Sequence, residues 1–261
     1  GKRIGAVMRD HIVNRLIDTS KVNLCVPLCG SNLEELKQEI VLLESGIDMV
    51  EWRMDCFCAE MAQDWIQALK KLRPLMNDYV LLATWRSEKE GGRQNCAFYE
   101  ELLKGIIQSG LVDMIDIELF QPESCVKDLT AYAHEHHVAV VISNHATTNT
   151  PDNEAMMIRL QAMRRMGADI VKLAVMPNTV QDVWRLLETS TSFHEQVKDC
   201  YLVTMAMGEM GVISRICAEM SGSIISFAAL KEASAPGQLP WKQLEQLLHQ
   251  FHQAYQGKKA E

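Results

Sequence analysis

The sequence lacks the features that mark membrane-spanning and nucleic-acid-binding proteins. No apolar run approaches the roughly 18 residues that a membrane helix needs, and the N-terminal residues lack the long apolar core of a secretory signal. Its 26 basic residues are outnumbered by 34 acidic ones, and the formal net charge is −8. This balance argues against non-specific binding to nucleic acid or to anionic membranes. We therefore expect a cytoplasmic protein that binds neither.

The sequence also lacks the patterns of a disulfide scaffold, a zinc site and a dinucleotide site. Its eight cysteines lie mostly in apolar segments, as reduced cysteines do. Cys56-Phe57-Cys58 has no second cysteine pair at zinc spacing. The run His134-Glu135-His136-His137 is interpreted as the polar end of a helix rather than as a metal site. No Gly-x-Gly-x-x-Gly follows the first apolar run. We therefore expect no metal.

Short apolar runs alternate with amphipathic stretches along most of the chain. The apolar runs predict strands at 22–28, 47–53, 79–85, 112–118, 138–143, 169–174, 201–206 and 223–229. The amphipathic stretches predict helices near 33–45, 59–77, 95–109, 122–137, 151–167, 180–193, 212–220 and 241–255. Ser31-Asn32-Leu33-Glu34 has the form of a capping box at the start of the first helix.

Eight strand-then-helix units follow one another without a linker long enough to separate two domains. Nearly continuous apolar strands covered by helices predict a parallel sheet that is buried on both faces. Eight such units within 261 residues favour a closed (β/α)8 barrel, the TIM barrel, over an open doubly wound sheet. The sequence therefore predicts one α/β barrel domain over residues 1–261, with residues 1–20 as an extension that caps the barrel floor.

A barrel of this kind carries its chemistry at the carboxyl ends of the strands. In the sixth predicted strand, Lys172 lies between Val171 and Leu173, so alternation turns its side chain towards the barrel axis. A lone ammonium among apolar neighbours is unfavourable and requires a reason.

Two interpretations of Lys172 are open. It is either a structural lysine that is ion-paired with Glu51, Glu90 or Glu118, or a nucleophile that forms a Schiff base with a carbonyl. The nucleophile must lose its proton before it attacks, and burial and nearby cations lower the pKa of a lysine. The cations predicted at the same barrel mouth are Arg53, Arg86 and Arg215.

Several blocks of the sequence resemble one enzyme family. They are Glu51-Trp52-Arg53-Met54-Asp55, Arg86-Ser87 with Glu90-Gly91-Gly92, Asp116-Ile117-Glu118-Leu119, Val140-Val141-Ile142-Ser143-Asn144-His145, Lys172-Leu173-Ala174-Val175-Met176-Pro177, Met205-Ala206-Met207-Gly208 with Gly211-Val212-Ile213-Ser214-Arg215, and Ser234-Ala235-Pro236-Gly237-Gln238. In this order they resemble type I 3-dehydroquinate dehydratase. The blocks extend from about Val22 to Trp241, nearly the whole chain.

The resemblance implies an enzyme of the shikimate pathway that removes water from 3-dehydroquinate to give 3-dehydroshikimate. Lys172 would form an imine with the ring ketone, an electron sink that needs no cofactor. His145 would take the proton from the adjacent carbon and then protonate the departing hydroxyl. Glu90 would orient His145 and stabilise its charged form, with Asp116 as a possible helper.

The resemblance also implies which residues hold the substrate and suggests a homodimer. Arg215 would bind the ring carboxylate, with Ser234 and Gln238 as neutral partners. The remaining predicted binding residues are Glu51, Arg53 and Arg86 for the hydroxyls and the carbonyl side, and Met205 and Phe227 as apolar walls. The other interpretations are that Glu51 and Arg53 form a structural ion pair and that Arg215 lies at the surface.

One departure from the family keeps other functions open. The family usually has an acid and an aromatic residue after the histidine, whereas this chain has Ala146 and Thr147. A catalytically silent homologue is one alternative. A second is another Schiff-base barrel, an aldolase acting on a phosphorylated substrate, for which the Gly208–Gly211 turn is a weak phosphate signal. Because Glu90 and Asp116 are retained, we expect an active dehydratase.

Overall fold

The computed structural model describes residues 12–231 and 237–257, and its eight strands form one parallel sheet. The strands are β1 (Asn23–Leu28), β2 (Met49–Arg53), β3 (Val80–Thr84), β4 (Met114–Glu118), β5 (Ala139–Ala146), β6 (Ile170–Val175), β7 (Tyr201–Ala206) and β8 (Ile225–Phe227). Each of the strands β1 to β6 pairs with the next, and β8 pairs with β1. An isolated bridge between Leu202 and Ser223 joins β7 to the residues before β8, so the barrel is nearly closed. The predicted (β/α)8 fold is confirmed.

A helix or a pair of short helices follows each strand, close to the predicted positions. They are α1 (Leu33–Val41), α2 (Ala62–Leu72), α3 (Tyr99–Gln108), α4 (Glu123–Glu135), α5 (Asn153–Met166), α6 (Val180–Gln196), α7 (Val212–Ile216), α8 (Ala218–Ser221) and α9 (Trp241–Gln256). In the described part of the chain, no helix is both long enough and apolar enough to cross a membrane.

The ends of some helices differ from the prediction for local reasons. The N-cap of α1 is Asn32, whose side chain accepts a hydrogen bond from the backbone of Glu35, so the predicted Ser31 capping box is wrong. Helix α2 gives way to a 3₁₀ turn that contains Pro74, because proline cannot continue the α-helical hydrogen bonds. The helix predicted over 212–220 is interrupted at Cys217, where the backbone leaves the helical region.

Alternation along the strands separates two apolar clusters. In β6, Val171 and Leu173 face outward into the cluster under the helices, whereas Ile170 and Ala174 face the barrel interior. The interior cluster also includes Val13 and Ile17 of the N-terminal extension, which are buried. Because residues 1–11 lie outside the described residues, the floor cap predicted for residues 1–20 stays a prediction.

Candidate active site

Lys172 lies inside the barrel, on the same face of β6 as Ile170 and Ala174. Only 5% of the surface of Lys172 is exposed to solvent, and its Nζ lies 4.3 Å from the centre of the Phe227 ring. A cation over an aromatic face gains a modest electrostatic attraction that does not replace an ion pair.

Burial lowers the pKa of the Lys172 ammonium below its ordinary value. The negative charge of Glu51 opposes this shift, and the positive charge of Arg86 adds to it. An amine with a lowered pKa carries an unprotonated lone pair more often at neutral pH, which is the form that attacks a carbonyl.

The acids proposed as ion-pair partners of Lys172 have other partners. Glu51 accepts a hydrogen bond from the Thr84 hydroxyl at 2.9 Å. Glu90 bonds His145, and Glu118 bonds Arg86. Among the described residues, no carboxylate lies within ion-pair distance of the Lys172 Nζ. This part of the structure therefore gives no support to the interpretation of Lys172 as a structural ion-paired lysine.

His145 and Glu90 form a hydrogen-bonded pair at the barrel mouth. Strand β5 continues through Ala146, beyond the predicted end at Ser143, and this extension carries His145 to a position opposite Ala174 of β6. The Nδ1 atom of His145 lies 3.1 Å from Glu90 Oε1, and the backbone N–H of His145 donates to the same oxygen at 2.8 Å. Glu90 therefore holds both the backbone and the ring of His145.

The shared oxygen determines which nitrogen of His145 is free. Glu90 Oε1 accepts the backbone N–H, and an ionised Glu90 has no proton to donate. When Glu90 is ionised, Nδ1 therefore carries the hydrogen that it donates to Oε1. This arrangement leaves Nε2 of a neutral His145 unprotonated and able to act as a base.

Burial acts on both members of this pair. It lowers the pKa of His145 well below its ordinary value, and the positive charges of Arg86 and Lys172 lower it further. It raises the pKa of Glu90 to about 8, and the charge of Glu118 adds to that rise. The imidazole is therefore neutral at neutral pH, as a general base must be.

A tight turn after β3 places Glu90 against His145. The backbone N–H groups of Glu90 and Gly92 both donate to the Ser87 carbonyl, and Gly91 adopts a left-handed conformation at φ +96°. A side chain at position 92 would collide with the backbone, because its Cβ would lie 1.7 Å from the Arg86 carbonyl oxygen. Glycine at position 92 is thus a steric requirement of the turn.

The variant Gly92→Ala is expected to lower kcat by about tenfold or more, because a displaced turn moves Glu90 away from His145. Gly110→Ala is the control, since Gly110 has a positive φ, of +71°, but has no atom within 4 Å of an added Cβ, whereas a Cβ at position 92 would meet the backbone. The control should lose only about 1 kcal/mol of stability and keep its kcat. Steady-state kinetics and urea unfolding of both variants check this, and an unchanged kcat in Gly92→Ala would contradict it.

Arg86 is held by protein acids beneath the mouth. Its guanidinium bonds both carboxylate oxygens of Asp116, at 3.2 and 3.1 Å, and Glu118 at 2.8 Å. It also donates to the Ser143 hydroxyl at 3.1 Å. All four side chains are buried. Arg86 and Asp116 therefore form a charged network next to the pair, and their predicted roles towards a substrate stay predictions.

Arg53 pairs with Asp55 rather than with Glu51. Its Nε and Nη2 donate to the two oxygens of Asp55, both at 2.9 Å. Asp55 also accepts the backbone N–H groups of Arg86 and Arg93. The proposed ion pair between Glu51 and Arg53 is wrong. Asp55 had no role in the sequence-based prediction. The structure shows that it is buried, where it holds the side chain of Arg53 and the backbone of Arg86.

Arg215 is a buried cation without a counterion in the described part of the chain. It is 6% exposed, which excludes the interpretation that it lies at the surface. Among the described residues, its Nη1 reaches only the Met205 sulfur, at 3.6 Å, and the Phe227 carbonyl, at 3.3 Å, and its Nε has no partner. Burial lowers the pKa of Arg215. Because Phe227 also contacts Lys172, the two cations share one wall of the mouth.

Of three further positions singled out from the sequence, one is not described and two lie beside this group rather than within it. Ser234 lies outside the described residues. Gln238 lines a cavity of about 240 Å³ with Cys29 and Lys231. Ala146 packs against the outer cluster, on the opposite face of β5 from His145. The side chain of an acid at position 146 would therefore leave β5 on the face opposite to the imidazole.

A cavity of about 550 Å³ adjoins the His145–Glu90 pair. Glu118, Tyr99 and Arg159 contribute to its lining. The mouth thus combines a buried amine with a lowered pKa, an imidazole oriented by an acid, and an arginine that has no counterion among the described residues. Such a set can form an imine with a ketone, move a proton at the adjacent carbon and hold a carboxylate.

Comparison with protein families gives one matching model, described as type I 3-dehydroquinase, over residues 24–255. The chain is 43% identical over 235 residues to the 3-dehydroquinate dehydratase of Bacillus licheniformis, and the match covers 88% of this chain and 92% of that protein. It is 42% identical over 235 residues to the enzyme of the same name from Salmonella typhimurium, covering 88% and 93%.

Solved structures give a similar result. The type I 3-dehydroquinate dehydratase of Clostridium difficile, with covalently modified comenic acid, superposes with a TM-score of 0.87 at 39% identity and covers 90% of this chain and 93% of that one. The 3-dehydroquinate dehydratase of Geobacillus kaustophilus superposes with a TM-score of 0.85 at 32% identity, with the same coverage.

Proposed function

The chain belongs to the type I 3-dehydroquinase family, and from this premise we propose the roles of its individual residues. It is a 3-dehydroquinate dehydratase, a hydro-lyase that removes water from 3-dehydroquinate to give 3-dehydroshikimate. The observation that carries the residue roles is the buried Lys172, which has no carboxylate partner among the described residues and shares the barrel mouth with the oriented His145.

Lys172 begins the reaction. Its unprotonated Nζ attacks the ring ketone, and loss of water from the adduct leaves a protonated imine. The positive charge of this imine withdraws electrons from the neighbouring carbon, whose C–H bond becomes acidic. The buried site, where Lys172 lies within reach of the negative charges of Glu51 and Asp116, stabilises the iminium cation electrostatically.

His145 moves the proton. Its Nε2 takes the proton from the carbon next to the imine, and the electron pair of that C–H bond forms an enamine. The imidazolium is stabilised by Glu90 through the Nδ1 hydrogen bond. It then returns the proton to the departing hydroxyl, which leaves as water. Hydrolysis of the conjugated imine releases the enone product and restores Lys172.

Arg215 holds the substrate carboxylate. An anion at the mouth would supply the partner that its buried Nε lacks within the described part of the chain. Met205 and Phe227 pack beside the guanidinium and form the apolar wall of the site. The remaining predicted contacts stay predictions. Glu51 and Arg53 are predicted to bind the hydroxyls and the carbonyl side of the substrate, and Ser234 and Gln238 its carboxylate.

Product formation is the direct test of the function. Addition of 3-dehydroquinate to the protein should produce the ultraviolet absorbance of a conjugated enone. No absorbance would favour the silent homologue, and cleavage of a phosphorylated substrate instead of dehydration would favour the aldolase.

The variant Arg215→Met is expected to lower kcat/KM about 100-fold, mainly through KM, because a charged hydrogen-bonded pair with the carboxylate is lost. Folding should not suffer, since the change removes a buried charge that has no counterion in the described chain. Arg164→Met is the control, because Arg164 pairs with Asp199 on the outside of the barrel. An Arg215→Met enzyme with the wild-type KM would contradict the proposed role.

We also propose a homodimer in the cytoplasm, as expected from the family resemblance and the composition. The mass in solution, measured by light scattering, checks the dimer, and cell fractionation checks the location.

A further inference from the structure

Glu118 is a buried acid next to the proton-transfer pair, and the mechanism above gives it no role. It is the last residue of β4 and is 1% exposed. Its Oε2 accepts hydrogen bonds from Arg86 Nη1 at 2.8 Å and from the backbone N–H of Ser87 at 3.1 Å. The carboxylate therefore binds both the cation and the first residue of the turn that leads to Glu90.

The second oxygen of Glu118 is exceptional. Its Oε1 is buried and has no hydrogen-bond partner in the described part of the chain. The residue lines the cavity that Glu90 and His145 also line. A buried carboxylate oxygen without a partner is unfavourable, so a reason for keeping it is expected.

Glu118 is linked to Glu90 through the backbone. It holds the Ser87 N–H, and the Ser87 carbonyl accepts the N–H groups of Glu90 and Gly92. Ser87 is thus held by Glu118 through its N–H, and its carbonyl accepts the hydrogen bonds that close the turn. A shift of the Glu118 carboxylate would move the turn, and with it the oxygen that orients His145.

Glu118 is also linked to Glu90 through its charge. After burial, the negative charge of Glu118 is the strongest influence that raises the pKa of Glu90, and Arg86 opposes it. The other charged or titratable groups around the two acids are Glu88 and Lys89 in the turn, Cys96 before α3, Tyr99 on α3, Asp116 on β4, His145 on β5 and Arg159 on α5, with Lys172 and Arg53 beyond His145.

Resting on the proposed function, we propose that Glu118 is a positioning residue, which fixes Glu90 against His145 and sets the pH above which this pair transfers a proton. Glu90 stabilises the imidazolium only when it is ionised. The charge of Glu118 delays that ionisation, so the low-pH limb of the kcat profile reports Glu118 through Glu90.

The variant Glu118→Gln tests this inference. The amide keeps the size of the side chain and an acceptor oxygen for Arg86 or Ser87, but it removes the charge. We expect the low-pH limb of the kcat profile to move to lower pH by about one unit, because Glu90 then ionises more readily. KM should stay near the wild-type value, because Glu118 is not proposed to touch the substrate.

Two further variants separate charge from position. Glu118→Asp keeps the charge and shortens the side chain, so kcat should fall while the limb stays at the wild-type pH. Glu88→Gln removes an exposed charge from the same turn and should not move the limb. Circular dichroism verifies the folding of each variant.

The outcomes distinguish this inference from the proposed function. A wild-type protein that releases no enone would contradict the proposed function itself. If the wild type is active but the low-pH limb of Glu118→Gln lies at the wild-type pH, only the role of Glu118 is overturned. This holds whether or not kcat falls uniformly at every pH. A low-pH limb that moves in Glu118→Asp would also overturn the role of Glu118.

Discussion

Replacement of Lys172 by methionine is expected to lower kcat for dehydration by at least about 10⁴-fold, because the variant has no amine to form the imine. Methionine has a similar length and no charge, so the apolar surroundings of the side chain are kept. In the wild type, borohydride added together with 3-dehydroquinate should reduce the imine and leave a stable adduct on the peptide that contains Lys172. In Lys172→Met, mass spectrometry should find no adduct on any peptide.

Lys198→Met is the control for this prediction. Lys198 is exposed and donates to the His194 carbonyl, so its variant should keep both the adduct and the activity. Lys172→Arg keeps a positive charge but cannot form an imine under these conditions, so it should be as inactive as Lys172→Met. Unchanged dehydration in Lys172→Met, with no adduct in the wild type, would refute imine catalysis.

The Lys172→Met variant should also be more stable than the wild type. Burial lowers the pKa of Lys172 in the folded protein. The buried ammonium therefore destabilises the fold, and the effect is fully present at every pH below this lowered pKa. This destabilisation fades as the pH rises towards the unfolded-state value of about 10.4. The advantage of Lys172→Met in urea unfolding should therefore be largest near neutral pH and smaller near pH ~10.

The barrel could be predicted from the sequence because its strands are nearly continuous apolar runs between helices. The orientation of Lys172 also followed from alternation alone, since one strand determines which side chains face the axis. Local ends were less predictable. Asn32 rather than Ser31 caps the first helix, because two adjacent residues could each accept the bond and only the backbone conformation decides between them.

The pairing of charges at the mouth was harder to predict than the position of each charge. Arg53 pairs with Asp55, two residues along the chain, and Arg86 crosses to Asp116 on the neighbouring strand. Long side chains from several strands converge at one end of the barrel, and Arg53 and Arg86 each have more than one acid nearby. Which acid it bonds depends on strand register and rotamers, which no sequence pattern specifies.

Replacement of His145 by glutamine should separate the two halves of the reaction. Loss of the proposed general base is expected to lower kcat by about 10³-fold. In the proposed mechanism imine formation depends on Lys172, so borohydride should still trap an adduct. Because the proton is no longer removed, the trapped adduct should contain the undehydrated substrate and weigh one water more than the adduct trapped from the wild type.

The state of the trapped adduct makes His145→Gln more informative than activity alone. A mutation that merely disturbed the mouth would lower the amount of both adducts, whereas loss of the base changes which adduct accumulates. Glu90→Gln is the companion variant, because it keeps an oxygen for the His145 backbone N–H and removes the charge that stabilises the imidazolium. We expect it to slow dehydration less than His145→Gln does. If His145→Gln accumulated the dehydrated adduct at the wild-type rate, proton removal would have to be assigned to another group at the mouth.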